Sequence, residues 1–290
     1  MNKTIYMTYK KNVPSLVFDR WKNLNPEYNI DFSLDNDCIH FLKEIFNDYI
    51  CELFKNIKVG MYKADLWRLC KLYVHGGVYA DVDLIPYLNI NELDKDVTFF
   101  SCLSINHRSI FQAFMVNFNQ PRNPLILHFL LSFLINKPYT YFNGPTYDMY
   151  NCIFYNLNKT IILPEKKYEI NEIKININIG TSIKNIKKIN LYYFPSDIIY
   201  VIKLIENPYR DHFNFNISDN FLIVTRLDVN EDIGWAYNHS CDICIQSKEV
   251  IYLFPENIDP NNHWSTAYVT LNNKKILDSR DLNYYNNNGW

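Results

Sequence analysis

The chain has 290 residues, 48% of them hydrophobic and 16% aromatic, with a formal net charge of −2. That length supports one large domain with a sizeable core, or two small ones. The near-neutral balance excludes a general attraction to nucleic acid or to an acidic membrane surface.

In chain order, KTIYMTYK reads as a first strand, with Ile5, Met7 and Tyr9 on one face and Tyr6 and Thr8 on the other. SLVFDRWKNLNP has helical spacing at Leu16, Phe18 and Trp21 and stops at Asn25-Pro26. YNIDFSL is a second strand. Asp35 or Asn36 then caps a helix carrying Cys38, Ile39, Phe41, Leu42, Ile45 and Phe46. A helix from Val59 to His75 directs Met61, Ala64, Trp67 and Val74 inward and is stopped by Gly76-Gly77. A strand ending in Asp81 and Asp83 follows at once. Strand and helix alternate over these hundred residues, which predicts an α/β layered domain with a largely parallel sheet.

Further on, TFFSCLSI is a strand, HRSIFQAFMVNF is strand or helix, and PLILHFLLSFLI over 124–135 is a buried helix, well short of the ~20 residues that cross a bilayer. Gly144-Pro145 opens another helix. Strand-like runs dominate from about 160 to 255, which suggests one domain over 1–290 with a β-rich insertion near 165–250. The start MNKTIYMTYKK lacks the apolar core of a signal peptide. The seven scattered cysteines, odd in number, read as reduced thiols, and Cys241 and Cys244 as strand cysteines rather than a zinc pair. The expectation is a cytoplasmic protein with no transmembrane segment.

The chemistry gathers at GGVYADVDLIPY. On a strand, residues i and i+2 leave on one face, so Asp81 and Asp83 would present two carboxylates together. Such a pair shares a proton or binds a cation. Oxygen-only ligation suits Mn²⁺ or Mg²⁺, with substrate phosphates completing the shell. A D-x-D alone is weak in a chain with 31 acidic residues. Asp65 and Arg68, however, lie three apart on the helix that feeds this strand. Their bland reading is a surface ion pair worth tenths of a kcal/mol; the sharper one is a grip on a sugar attached to a phosphate.

ADLWRLCKLYVHGGVYADVD resembles the signature of the DXD-containing sugar-binding-region glycosyltransferases, of GT-A type, with Leu69 where that family usually has an aromatic. FNGPTYDMY is similar to the family's T-G-P turn. NNHWSTAYV is similar to its late H-H-W-S-G-S-W segment, with Asn262 in place of the first His and Thr266, Ala267 and Tyr268 in place of Gly-Ser-Trp. The resemblance implies a GT-A-like fold and a metal-dependent transferase. Such an enzyme moves a sugar from a UDP- or GDP-sugar to a glycan or other hydroxyl acceptor, with retention. It implies Asp81, Asp83 and His263 as metal ligands, Asp65 and Arg68 as the grip on the donor sugar, and Thr8 and Tyr9 beside the base. Asn143, Gly144, Trp264 and Ser265 would join the donor pocket. Trp235, Tyr237 and Phe213 are acceptor candidates that serve equally well as core. The alternatives are a phosphatase of the haloacid dehalogenase type, which also uses D-x-D after an apolar strand, and a catalytically inactive carbohydrate-binding relative.

Overall fold

The alternation at the N-terminus produces the two-faced strand that its period requires. In the computed structural model, which describes residues 2–46, 48–105, 108–118, 121–157, 161–179, 187–190, 213–218, 221–226, 239–258 and 267–279, β1 (Thr4–Thr8) turns Ile5 and Met7 to one side of the sheet and Tyr6 to the other. α1 (Ser15–Leu24) buries Val17 and Trp21. Leu16 and Phe18 are only partly covered, because the seat under the sheet is set by Trp21 stacking on Phe114 at 6.1 Å and by the residue one turn before it. β2 (Asn29–Ser33) follows and pairs with β1 in parallel. At the start of α2 (Asp35–Phe46) the capping carboxylate is that of Asp37, not of Asp35 or Asn36: it accepts from the Leu34 N–H at 2.9 Å, as a third helical residue does in a capping box. α3 (Asp48–Asn56) was not anticipated. Its apolar face, Ile50, Cys51 and Phe54, joins the same core.

α4 (Gly60–His75) departs most from its expected pattern. Met61 is exposed and Ala64 and Val74 are half-buried, while ten consecutive-turn residues including Asp65, Arg68 and Lys71 are buried. Beyond its first turn the helix packs against α2, α3, α5, β1 and β3, and a helix covered on most sides has no single apolar stripe to read. Gly76 receives the chain at φ 64° and donates its N–H to Leu72 O at 2.9 Å. β3 (Gly77–Ala80) begins with the next residue.

β4 (Leu84–Pro86), β5 (Phe99–Leu103) and β6 (Ile110–Asn117) follow, so the segment left open between strand and helix is strand. α5 (Pro124–Asn136) is capped by Asn123, whose side chain accepts from Leu125 N and Ile126 N. α6 (Gly144–Leu157) starts at the expected Gly-Pro. β7 (Lys167–Ile179), β8 (Lys187–Asn190), β9 (Phe213–Ser218), β10 (Phe221–Arg226), β11 (His239–Ile258), β12 (Ala267–Leu271) and β13 (Lys274–Ser279) complete the described elements.

The large sheet has the order β2-β1-β3-β6-β5-β11-β12-β13-β4, with β7 also on β11. β2, β1 and β3 are mutually parallel, β11 is parallel to β5, and β6 is antiparallel to both its neighbours. In the central part, therefore, β6 alone runs against a common strand direction, and the fold is the expected α/β layering on a mostly parallel sheet. One face is covered by α2 to α6, the other by α1 with β4, β12 and β13. A buried carboxylate ties the middle together: Glu249 on β11 accepts from Thr98 Oγ1 at 2.7 Å and from the capping Asn123 at 3.1 Å. Within the β-rich stretch, β7 and β11 run paired from Lys167–Tyr252 to Ile179–His239, and β8-β10-β9 form a separate sheet. The last part of β11 belongs to the main sheet through Ile251–Pro255. Cys38, Cys51, Cys70, Cys102 and Cys152 are free and buried, while the Cys241 and Cys244 side chains lie outside the described residues. Among the described residues no helix is long and apolar enough to cross a membrane.

Gly77 sits at φ 93°, and a Cβ there would stand 2.9 Å from the Thr4 carbonyl oxygen and 3.2 Å from the Tyr6 ring. Gly77→Ala should cost at least about 1–2 kcal/mol and lower the melting temperature by several degrees. An unchanged calorimetric transition would contradict this account of the helix-to-strand joint.

Candidate functional site

α4 and β3 meet at one guanidinium. Arg68 points from the middle of α4 toward the carboxyl end of β3. Its Nη2 lies 3.3 Å from Asp65 Oδ1 and 3.4 Å from Asp81 Oδ1. Its Nη1 donates to Gln112 O at 2.5 Å, its Nε donates to Ala64 O at 3.2 Å, and its Cζ stands 4.2 Å from the centre of the Tyr79 ring. The surface ion pair that i,i+3 spacing suggests by default is thus excluded, since both Asp65 and Arg68 are buried. Tyr79, two residues before Asp81, donates its hydroxyl to Asp81 Oδ1 at 2.5 Å.

β6 supplies the remaining acceptor because it bulges. Its register against β5 shifts between Phe100, opposite Val116, and Cys102, opposite Phe111. Near that shift Gln112 O takes Arg68 and Phe114 O takes Ser101 Oγ at 3.2 Å, while Ala113 O takes the Asp81 N–H at 2.8 Å in continuation of the β3–β6 register. β6 therefore holds both Arg68 and the start of the D-x-D.

Asp81 and Asp83 do not stand on a strand. β3 ends at Ala80, and the two aspartates occupy the turn to β4, closed by Leu84 N donating to Asp81 O at 3.2 Å. The two-residue alternation that predicted a shared face does not apply in a turn. Both nonetheless line one cleft of about 770 Å³, together with Thr8, Tyr9, Arg68 and, from α4, Met61 and Lys63. A volume of that order is ordinary for a small-molecule site, and its position at the carboxyl ends of β1 and β3 is where open α/β sheets hold ligands. Asp65 is not a lining residue; it stands behind Arg68. Asn143 and Gly144 are not lining residues either. Gly144 is a packing glycine, since a Cβ would lie 1.9 Å from Pro138 O. His263, Trp264 and Ser265 lie outside the described residues, as do the side chains of Trp235, Tyr237 and Phe213.

Sequence reasoning missed Tyr79, which is buried behind the cleft and holds Asp81, and several cleft residues. Lys10, Asp35, Phe54 and Lys58 come from separate elements brought together only by the fold. Lys63 pairs with Asp35 at 3.1 Å across the cleft wall. Behind the site, Lys71 is buried with its Nζ 3.0 Å from Asp31 and 4.3 Å from the centre of the Phe41 ring. Ser33, next to Asp31, accepts through its carbonyl from Thr8 Oγ1 at 2.8 Å, which fixes the end of β1 in the cleft.

Burial pushes the Asp65 carboxyl up to about 6 despite Arg68 beside it, and Asp81 adds to the rise. Burial disfavours the charge on Arg68, but Tyr79 and the carboxylates of Asp81, Asp65 and Asp83 outweigh it and raise the pKa. The cluster is therefore a permanently charged cation shared between acids. Asp81 and Asp83 form an oxygen-only donor pair, and Asp81 is one-third exposed to the cleft at 32%. Among the described residues no group of three or more His, Cys, Asp or Glu could hold a metal. Two carboxylates fit an ion such as Mn²⁺ or Mg²⁺ that takes its other ligands from phosphate and water.

Two outcomes follow for stability. Removing the cation by Arg68→Met strands Asp65 and Asp81 against each other, and urea unfolding should show a loss of about 3–5 kcal/mol. Asp65 binds a proton in the folded protein between its ordinary 3.8 and about 6, where the unfolded chain does not. Wild-type stability measured against Asp65→Asn should therefore fall as pH rises through that window. A difference that is flat or rises with pH would show that Asp65 is not held in the way described.

Residues 13–100, which contain this unit, match the family described as glycosyltransferase sugar-binding region containing DXD motif. An uncharacterized glycosyltransferase of Acanthamoeba polyphaga mimivirus is 31% identical over 94 residues, 31% of this chain and 37% of that protein. The initiation-specific alpha-1,6-mannosyltransferase of Candida albicans is 23% identical over 100 residues, 31% of this chain and 26% of that protein. The chain thus spans about a third of the length of these relatives. Among solved structures, PaToxG glycosyltransferase superposes with a TM-score of 0.42 at 17% identity, over 53% of this chain and 69% of that one. The segment that builds Arg68, Asp81 and Asp83 into one cleft thus lies within the residues that match the glycosyltransferase sugar-binding region containing the DXD motif.

Proposed function

We propose that the protein is a metal-dependent glycosyltransferase that takes a sugar from a nucleoside-diphosphate sugar and passes it to a hydroxyl of a glycan or related acceptor, with retention. The chain is read as one transferase domain with a β-rich insertion near 165–250. The observation that carries the proposal is the sharing of Arg68 between Asp65 and Asp81 on the wall of a cleft that Asp83 also lines.

Asp81 and Asp83 would hold Mn²⁺ or Mg²⁺, which when bound supplies positive charge at the diphosphate leaving group. Thr8 and Tyr9, at the end of β1, stand where the base and ribose would lie, and the Tyr9 ring can stack on a base. Arg68 faces the cleft with its charge fixed by buried partners. Its role is to hold the sugar and its phosphate side while negative charge grows on the departing oxygen. Asp65 and Tyr79 position this group: Asp65 through the guanidinium, Tyr79 through Asp81. Retention with no carboxylate nucleophile assigned favours attack by the acceptor hydroxyl on the face that the diphosphate leaves. His263, with Trp264 and Ser265 beside it, is proposed as the late contact to metal or diphosphate.

The direct test is a panel of UDP- and GDP-sugars with Mn²⁺, following release of nucleoside diphosphate without added acceptor. One donor should be hydrolysed. Asp83→Ala should abolish release with little change in melting temperature, and EDTA should do the same to the wild type. Undiminished release in EDTA would overturn the metal-bridged reading. Arg68→Lys keeps the charge but loses the planar fork, and should slow release ten- to a hundredfold, the worth of one charged hydrogen bond of about 1.5–3 kcal/mol.

A further inference from the structure

The first turn of α4 links the cleft to a second surface. α4 gives Met61 to the cleft and, one residue on, Tyr62 to the loop between α5 and α6. The Tyr62 hydroxyl donates to Tyr141 O at 3.1 Å and accepts from the Asn143 N–H at 3.2 Å. This loop and the turn after it, PYTYFNGPTY over 138–147, contain four aromatic residues and no charge. Tyr139 packs inward on Phe133 at 5.4 Å. Phe142, by contrast, is 83% exposed, Met61 55% and Tyr141 50%. Scattered exposed apolar residues are normal, but neighbouring ones beside a polar cleft mark a binding surface.

The backbone of this loop is also closely constrained. Lys137 and Asn143 are both in the left-handed region, at φ 50° and 54°. The backbone is closed by Gly144 N to Tyr141 O at 3.2 Å and by Thr146 Oγ1 to Asn143 O at 2.8 Å. Gly144 is pressed on the Pro138 carbonyl so closely that no side chain fits. A backbone constrained this closely that still keeps Phe142 in water presents the ring from a fixed position, which lowers the ordering cost of binding.

We infer that Tyr141, Phe142 and Met61 form the platform on which a neutral carbohydrate acceptor lies, one pyranose ring against the aromatic faces; this rests on the transferase reading of the cleft. A pyranose presents C–H bonds on one face and hydroxyls around its edge. The C–H hydrogens meet the negative face of an aromatic ring, and the edge hydroxyls meet polar neighbours of the Asn143 and Thr140 kind. The loop's lack of charge matches a neutral sugar and offers nothing to an acidic or basic peptide. Met61 lines the cleft and Tyr62, the next residue, holds the loop, so a ring lying on the platform would turn its hydroxyls toward the α4 side of the cleft.

The experiment compares wild type with Phe142→Ser and Tyr141→Ser, using methyl glycosides of neutral hexoses as acceptors and an unglycosylated peptide mixture as the alternative. Donor hydrolysis without acceptor should be unchanged in both variants, while the acceptor KM rises at least five- to tenfold. Saturation-transfer NMR of the glycosides with the protein alone should show contacts that Phe142→Ser removes. Transfer to peptides only, an unchanged acceptor KM, no glycoside contact by NMR, or a parallel loss of hydrolysis and transfer would overturn the platform. If no donor at all is hydrolysed, the transferase reading fails, and the NMR result still decides whether these rings bind sugar.

Discussion

Arg68 is the interaction on which the site depends. Two acids, two backbone carbonyls and one aromatic face satisfy a single buried cation contributed from the middle of α4. A charge buried this deeply is tolerated only when its partners are complete, so the positions of α4, β3 and β6 are tied to one another. The β6 bulge, the Tyr79 hydroxyl and the turn that carries Asp81 and Asp83 all serve the same guanidinium. The fixed charge at the cleft wall is a consequence of how the core closes, and no separate loop is needed to deliver it.

The cleft has mixed polarity. Lys10, Lys58, Lys63 and Arg68 line it together with Asp35, Asp81 and Asp83. Cations and carboxylates lining one cleft suit a ligand that is itself mixed, an anionic diphosphate joined to neutral hydroxyl-bearing groups. This arrangement supports the nucleotide-sugar reading independently of the D-x-D spacing.

Much of this was legible in the sequence, and the failures have physical causes. β1, β2 and α4 follow from alternation, from turn residues and from Gly76-Gly77, all local effects. The importance of Asp65, Arg68, Asp81 and Asp83 was visible in their spacing. Their geometry was not: Asp81 and Asp83 fall in a turn, because β3 is only four residues long, and Asp65 lies behind Arg68 instead of facing the ligand. α4 was read as one-sided because periodicity reports a helix's own pattern and not how many neighbours cover it. α3 was missed although Ile50, Cys51 and Phe54 have helical spacing, because a single residue separates it from α2 and the two read as one segment. Gly144 was taken for a donor-pocket residue, but the close approach of Pro138 O explains it. The parts of the cleft formed by Lys10, Asp35, Phe54 and Lys58 depend on long-range packing, which no local pattern encodes.

The central claim is that Asp65 and Asp81 act through one shared cation. A double-mutant cycle on nucleotide-sugar turnover, with Asp65→Asn, Asp81→Asn and the pair, tests it most directly. Residues that share a partner couple by about 0.5–3 kcal/mol, so the double variant should lose clearly less than the sum of the two single losses. Strictly additive losses would mean that the two carboxylates work separately, and would contradict the account.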